Sequence, residues 1–208
     1  MKKLLHIIAS PRSEDSRTLK VSRAFMDTFS KRYPACLVEE IKLFEEKLQP
    51  LTVKIVSGKY VLLGGGDLTG ELKDSWKNVE SRINQFLSAD IYLISTPMWN
   101  FSIPYQLKHY IDIIVQPKYL FRYTPSGAEG LAKNKKMIIV TSRGGDYSPG
   151  GPSAAYDYQM PYLRAIFGMC GIADIKFVNA QPMDTGKEIA DKALAGAKDE
   201  ARRVADSV

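Results

Sequence analysis

At 208 residues, with 45% hydrophobic and 25% charged side chains, the chain can bury a substantial core and has the balance of a soluble globular protein, which excludes disordered and collagenous readings. Its formal charge of +6 comes from 29 basic and 23 acidic residues that are scattered rather than interleaved with aromatics on one face, so no nucleic-acid partner is expected. The apolar runs are strand-sized, so no membrane span is expected, and Cys36 and Cys170 match no metal or CxxC spacing, so they read as buried free thiols with no metal site.

Lys2 and Lys3 followed by a short apolar run resemble the start of a secretory signal, but His6 interrupts the run, Ser10-Pro11-Arg12 ends it, and no small-residue cleavage site follows. A cytoplasmic protein with one domain over residues 1–208 is expected. Residues 3–9 form a nearly continuous apolar run, the pattern of a strand covered on both faces. From Arg17 the apolar positions Leu19, Val21, Phe25, Met26 and Phe29 give a helical period, with Ser16 placed as N-cap and Tyr33-Pro34 beyond the end. Residues 35–41 read as a second strand. Residues 42–70, which contain Gly64-Gly65-Gly66, read as a long loop or a helical excursion. Leu72, Trp76, Val79, Ile83, Phe86 and Leu87 predict a helix over 71–89, and a third strand follows over 90–96.

A helix over 104–115 carries Leu107, Tyr110, Ile111 and Ile114 on one face and is stopped by Pro117. The alternating aromatics of 119–131, around Pro125-Ser126-Gly127, predict a small hairpin or arm outside the main sheet. A fourth strand over 136–141, a Gly/Pro-rich loop over 144–152, a helix over 160–170 ended by Gly171, a fifth strand over 174–179 and a final amphipathic helix over about 186–205 complete the pass. Strands alternating with helices predict an α/β three-layer sandwich around a parallel sheet. In the flavodoxin-like strand order 2-1-3-4-5, strands 1, 3 and 4 are neighbours.

That adjacency matters because three informative loops follow those strands. Residues 10–18 (SPRSEDSRT) offer the free N–H groups of a helix start together with hydroxyls and a cation, which suits one phosphate; the same residues could also be a plain cap with a solvated arginine. The glycines and lysine of a Walker loop are missing. Residues 97–101 (PMWNF) place bulky apolar groups and an amide where a loop is normally small and polar, which suits a wall against a ring system or, alternatively, a roof over the core. Residues 142–145 (SRGG) allow close backbone approach through Gly144 and Gly145, or form an ordinary turn with Arg143 as a surface ion-pair partner. His6 lies mid-strand and reads as a satisfied core histidine, and His109 lies in a helix; neither has a Ser or Cys partner at a recognisable spacing. The stretch GGGDLTG at 64–70 misses the GxGxxG register and reads as a loop.

On SPR…SRT, PMWNFSIPYQLKHYID, FRYTPSGAEGL, SRGG and PYLRAIFGMCGIADIKFV, the chain resembles, nearly end to end, the FMN-dependent NADH-azoreductase and NADH:quinone oxidoreductase family, flavodoxin-like bacterial enzymes once labelled acyl carrier protein phosphodiesterases. The resemblance implies FMN as cofactor, held by Ser10, Ser16, Arg17, Thr18, Pro97, Met98, Trp99, Asn100, Phe101, Ser142, Arg143, Gly144 and Gly145. It implies NADH or NADPH as donor and quinones or azo compounds as acceptors, in a ping-pong hydride relay that needs no catalytic side chain because the flavin carries the chemistry. It further implies a homodimer in which Tyr123, on the aromatic arm, lies near the substrate. Trp99 stands where many members have tyrosine, and Asp146-Tyr147 follows SRGG where a smaller apolar residue is usual; both bear on substrate preference. The alternative from another class is a flavodoxin-type electron carrier with no small-molecule turnover of its own; such carriers are typically acidic monomers.

Overall fold

Residues Leu4 to Ile8 of the first strand, β1 (Lys3–Ile8), are all buried, as a strand flanked by neighbours and covered on both faces must be. The computed structural model describes residues 2–208. After β1 come α1 (Arg17–Arg32), β2 (Leu37–Lys42), α2 (Val53–Leu63), α3 (Gly70–Leu87), β3 (Ile91–Pro97), α4 (Tyr105–Ile114), β4 (Phe121–Thr124), β5 (Gly127–Gly130), β6 (Lys136–Ser142), α5 (Gln159–Met169), β7 (Asp174–Ala180) and α6 (Lys187–Asp206). The five long strands pair in parallel in the order β2-β1-β3-β6-β7, while β4 and β5 form a separate antiparallel hairpin. The main sheet therefore has the expected 2-1-3-4-5 order.

Alternation along the strands separates two cores. Leu4, Leu93, Ile138 and Val178 meet Val21, Phe25 and Phe29 of α1 and Ala190, Ala197 and Ala201 of α6 on one face. On the other, Leu5, Ile7, Tyr92, Ile94 and Ile139 meet α2 to α5 through residues such as Trp76, Phe86, Leu107, Ile111 and Phe167. Ser16 caps α1 as predicted, its hydroxyl accepting from Leu19 N at 3.2 Å.

Three expectations are settled or refined. Within residues 42–70 the helical excursion is real: α2 is capped by Thr52, and its mid-helix Gly58 exists because a Cβ there would lie 2.2 Å from Trp76 Nε1. That indole docks α2 onto α3 and donates to Ile55 O at 3.1 Å. The hairpin is confirmed as an element outside the main sheet, with its aromatics divided: the Phe121 ring is buried in the core, and Tyr123 is left exposed. Of the two thiols, Cys170 is buried, and burial pushes its pKa up to about 12, whereas Cys36 is only partly buried.

Candidate active-site cleft

Because β1, β3 and β6 are neighbours, the three loops that leave their carboxyl ends meet, and they are stitched together there. Ser10 and Ser16 share a hydrogen bond of 2.9 Å, and Thr18 Oγ1 and Ser142 Oγ share one of 2.7 Å. Met98 N donates to Ser142 O at 2.9 Å. Between the loops lies a cleft of about 290 Å³ lined by Ser10, Ser16, Arg17, Thr18, Pro97, Met98, Trp99, Ser142, Arg143 and Gly144, ten of the residues singled out from sequence, together with Pro11, Arg12, Met183 and Asp184.

The α1 side is a helix start. Arg17 N and Thr18 N have no hydrogen-bond partner among the described residues, as the first N–H groups of a helix must, and they point out of the positive end of the helix dipole. Hydroxyls of Ser10, Ser16 and Thr18 surround them. The β3 side is built differently. Trp99 and Ser102 exchange N–H···O bonds in both directions, each 2.9 Å, closing a two-residue turn whose central residues, Asn100 and Phe101, have φ of 47° and 68°. Two successive left-handed residues make this a type I′ hairpin, a geometry that asparagine tolerates and phenylalanine resists. Asn100 N and Phe101 N are likewise without partners among the described residues.

The strained turn is braced from behind. The Phe101 ring stacks on Tyr156 at 5.3 Å, and Tyr158 N donates to Phe101 O at 3.1 Å. Trp99 and Tyr105 each meet Phe44 edge-on at 5.7 Å. Gln159 Nε2 donates to Pro97 O at 2.9 Å while its Oε1 accepts from Arg143 Nε at 3.1 Å. Arg143 is thus not the surface ion-pair partner that the sequence left open. Its side chain is fully buried, its Nη1 pairs with Asp157 at 3.0 Å, and burial lowers its pKa, with Asp157 opposing that shift. It borders the cleft with its side chain shut away from solvent, and its Nη2 has no partner among the described residues.

The two glycines of SRGG have negative φ and serve side chains of the same chain: a Cβ on Gly144 would lie 2.6 Å from Asp184 Oδ2, and one on Gly145 3.0 Å from Ser153 Oγ. Gly145 packs against the following loop and does not line the cleft. Asp146 folds back onto Ser148, whose hydroxyl and N–H hold its carboxyl below the ordinary range, and Tyr147 lies over the Arg143 guanidinium at 5.9 Å; neither lines the cleft. Asn100 faces an adjoining cavity with Ile103, Tyr105, Lys108 and Tyr162. Tyr123 is 66% exposed on β4, in the hairpin whose Gly130 packs against Gly171, and it does not line the cleft of its own chain.

Sequence reasoning missed Asp184, which closes the cleft mouth by pairing with Arg17 at 2.6 Å; an acidic residue after the last strand carries no local signal. It also missed the polar chain beneath α1. His6 is the satisfied core histidine expected, but its partners are Ser95 Oγ at 2.7 Å and Glu40 Oε1 at 3.2 Å, and Ser95 shares a 2.6 Å bond with Ser22. Glu40, His6 and Ser95 are connected as in a hydrolytic triad. Ser95 is fully buried with both hydroxyl positions engaged, so it presents no nucleophile to a substrate.

A doubly wound parallel sheet whose cleft lies over the carboxyl ends of its central strands, with a helix start on one wall and a ring-sized aromatic turn on the other, defines a flavodoxin-type binding protein. The comparisons agree: a family described as having the flavodoxin-like fold matches residues 2–205, and the chain belongs to it. An FMN-dependent NADH:quinone oxidoreductase of Nitratidesulfovibrio vulgaris is 36% identical over 206 residues, 99% of each chain. One of Nostoc sp. is 38% identical over 200 residues, 96% of each. Among solved structures, an azoreductase from Bacillus anthracis superposes with a TM-score of 0.90 at 30% identity, covering all of both chains. An FMN-dependent NADH-azoreductase from the same species, in complex with FMN, superposes with a TM-score of 0.83 at 30% identity over 99% of this chain and 100% of that one.

Proposed function

We propose that the chain is a cytoplasmic, single-domain FMN-dependent oxidoreductase that transfers reducing equivalents from NADH or NADPH to quinones and azo compounds. The observation that carries the reading is that two unbonded N–H groups at the start of α1, inside the cleft, stand across from the Met98–Trp99 wall, whose turn carries two more on Asn100 and Phe101 just beyond the cleft rim. One set, ringed by hydroxyls, fits a single phosphate; the other, backed by aromatic side chains, fits the polar edge of a flat ring. No second phosphate seat lines the cleft among the described residues, which favours FMN over FAD. The relatives and solved structures named above, which match along the whole length, support the same cofactor and the same substrates.

In this reading Ser10, Ser16, Thr18 and the backbone of Arg17 and Thr18 bind the phosphate. Trp99 and Met98 flank the ring, and the turn directs backbone donors at its polar edge, where preorganised dipoles favour added negative charge. When bound, FMN supplies hydride chemistry, so no side chain of the chain has to act as acid or base. Gln159, Arg143 and Asp157 hold the turn in place and touch no reactant. The active unit is a homodimer: Tyr123 and Leu131 are exposed on the hairpin and its flank, and a partner chain that covers them would bring Tyr123 to the partner's cleft.

The test is purification with flavin identification by chromatography, followed by turnover of NADH with a quinone. FMN is expected, and varying both substrates is expected to give parallel double-reciprocal lines. Recovery of FAD, or the absence of quinone-dependent NADH oxidation, overturns the reading; the latter is what an electron carrier would give. Intersecting lines overturn the ping-pong order alone. In the dimer, Tyr123→Ala should change quinone kinetics more than FMN retention, and light scattering showing an active monomer would sink that part.

A further inference from the structure

Among the described residues Asp184 is the one carboxylate lining the cleft, and it is built into position. Met183 N donates to both Arg143 O and Gly144 O at 2.9 Å, and Asp184 N donates to Gly144 O at 3.0 Å, so the segment between β7 and α6 is bolted onto the SRGG loop. The carboxylate occupies the room that Gly144 leaves by having no side chain. From there its Oδ1 accepts from Arg17 Nη1 at 2.6 Å, across the mouth of the cleft. Of the other cations lining the cleft, Arg143 is committed to Asp157 and Arg12 stands in solvent without an ion pair among the described residues.

The two side chains remain 41% and 67% exposed, and an ion pair that wet contributes little to folding. Arg17 can therefore leave Asp184 at small cost. A phosphate monoester bound at the start of α1 carries nearly two negative charges at neutral pH and would draw on the same guanidinium. Its charge would also meet that of Asp184, which the backbone bonds hold at the cleft mouth.

We propose that Asp184 is an internal competitor of the cofactor phosphate for Arg17, which sets the affinity of the cleft for the phosphorylated cofactor below what its donors alone would give and keeps the cofactor exchangeable. The inference rests on the assignment of FMN to this cleft. It makes Arg17 a shared cation: held by Asp184 when the seat is free, and partly withdrawn toward the phosphate when it is filled.

The experiment is a flavin-binding titration of the full chain, stripped of flavin, with FMN and with riboflavin, which lacks the phosphate, read by quenching of flavin fluorescence. Asp184→Asn keeps the shape and the backbone bonds and should tighten FMN roughly fivefold, leaving riboflavin unchanged. Arg17→Ala should weaken FMN and, in that background, the gain from Asp184→Asn should shrink, because no arginine remains to be released. Asp184→Ala, with folding checked by circular dichroism, repeats the test without a hydrogen-bonding side chain. Unchanged or weaker FMN binding in both Asp184 variants, equal tightening of riboflavin, or a full gain without Arg17 overturns the proposal. Failure of the underlying assignment shows separately, as wild-type protein that binds FMN no better than riboflavin or binds neither.

Discussion

The two walls of the cleft present backbone donors by opposite means. At the start of α1, the N–H groups of Arg17 and Thr18 are free because a helix cannot satisfy its first donors, and the backbone that holds them is ordinary helix capped by Ser16. At the tip of the 97–102 hairpin, the N–H groups of Asn100 and Phe101 are free because both residues are held in the left-handed region, where phenylalanine is costly. One wall is stable by itself. The other stands only because Tyr156, Tyr158, Gln159 and, through Gln159, Arg143 and Asp157 restrain it from outside. A site can thus combine a wall that any α1-like helix would form with one that depends on the whole 143–159 region.

The sharpest way to break this contrast is Asp157→Ala, which leaves the buried Arg143 charge without its partner and removes the acceptor for Gln159 N and Met160 N. A loss of about 3–5 kcal/mol in unfolding free energy is expected. Exchange should speed up at the bonded amides of Met98, Trp99 and Ser102 while those of Leu19 and Lys20 at the start of α1 keep their protection; equal loosening of both walls would contradict the division drawn here. Next in size, Ser16→Ala should remove about 1 kcal/mol of stability through the lost cap. It should weaken FMN far more than riboflavin, and an effect on both flavins alike would place Ser16 outside the phosphate seat.

A comparable effect isolates the strain. Phe101→Gly and Phe101→Ala both delete the stack on Tyr156, but only glycine is at ease at a φ of 68°. The glycine variant should therefore melt later than the alanine variant, by about 1 kcal/mol of stability. Equal melting temperatures would mean that the turn carries no strain. The smallest effect is electrostatic and lies beneath α1, where the hydrogen bond from His6 holds the Glu40 carboxyl below its ordinary 4.5, as Lys3 does for Glu39. Because these folded values lie below the unfolded ones, their contribution is complete above pH 4.5 and is lost as the pH falls through the lower folded values. Melting temperature should decline in that acid range, and Glu40→Gln should flatten the decline; a curve identical to wild type would remove Glu40 from the account.

Sequence pattern located β1, α1 with its cap and the hairpin because each rests on local signals: a continuous apolar run, a polar residue before a helical period, alternating aromatics around Pro-Ser-Gly. The strand order comes instead from the flavodoxin-like arrangement that alternating strands and helices suggest. Sequence pattern was less informative over 42–70, where Gly58 and Gly64 weaken the helical signal. There α2 is fixed by Trp76 from α3, and the glycine loop after it is held by Lys118, whose ammonium reaches Gly65 O and Gly66 O at 2.8 Å and Asp67 at 2.9 Å. Similarly, the resemblance implied FMN contacts for the SRGG residues but carried no signal of how they pack. Arg143 points into the core and Gly144 makes room for Asp184, each for a partner far along the chain.

The amino-acid sequence by itself determined which segments outside residues 42–70 become strands and helices and, through the parallel topology, that the loops after strands β1, β3 and β6 share one edge. Those outcomes follow from periodicity and capping, which act within a few residues and within one sheet. Only the tertiary structure decided that Asn100 and Phe101 turn left-handed, that Arg143 is buried as a brace, that Tyr123 is exposed outside its own cleft's lining and that Asp184 faces Arg17. Those depend on contacts between residues far apart in the chain, whose energies balance burial against strain and charge against charge in ways no local pattern records.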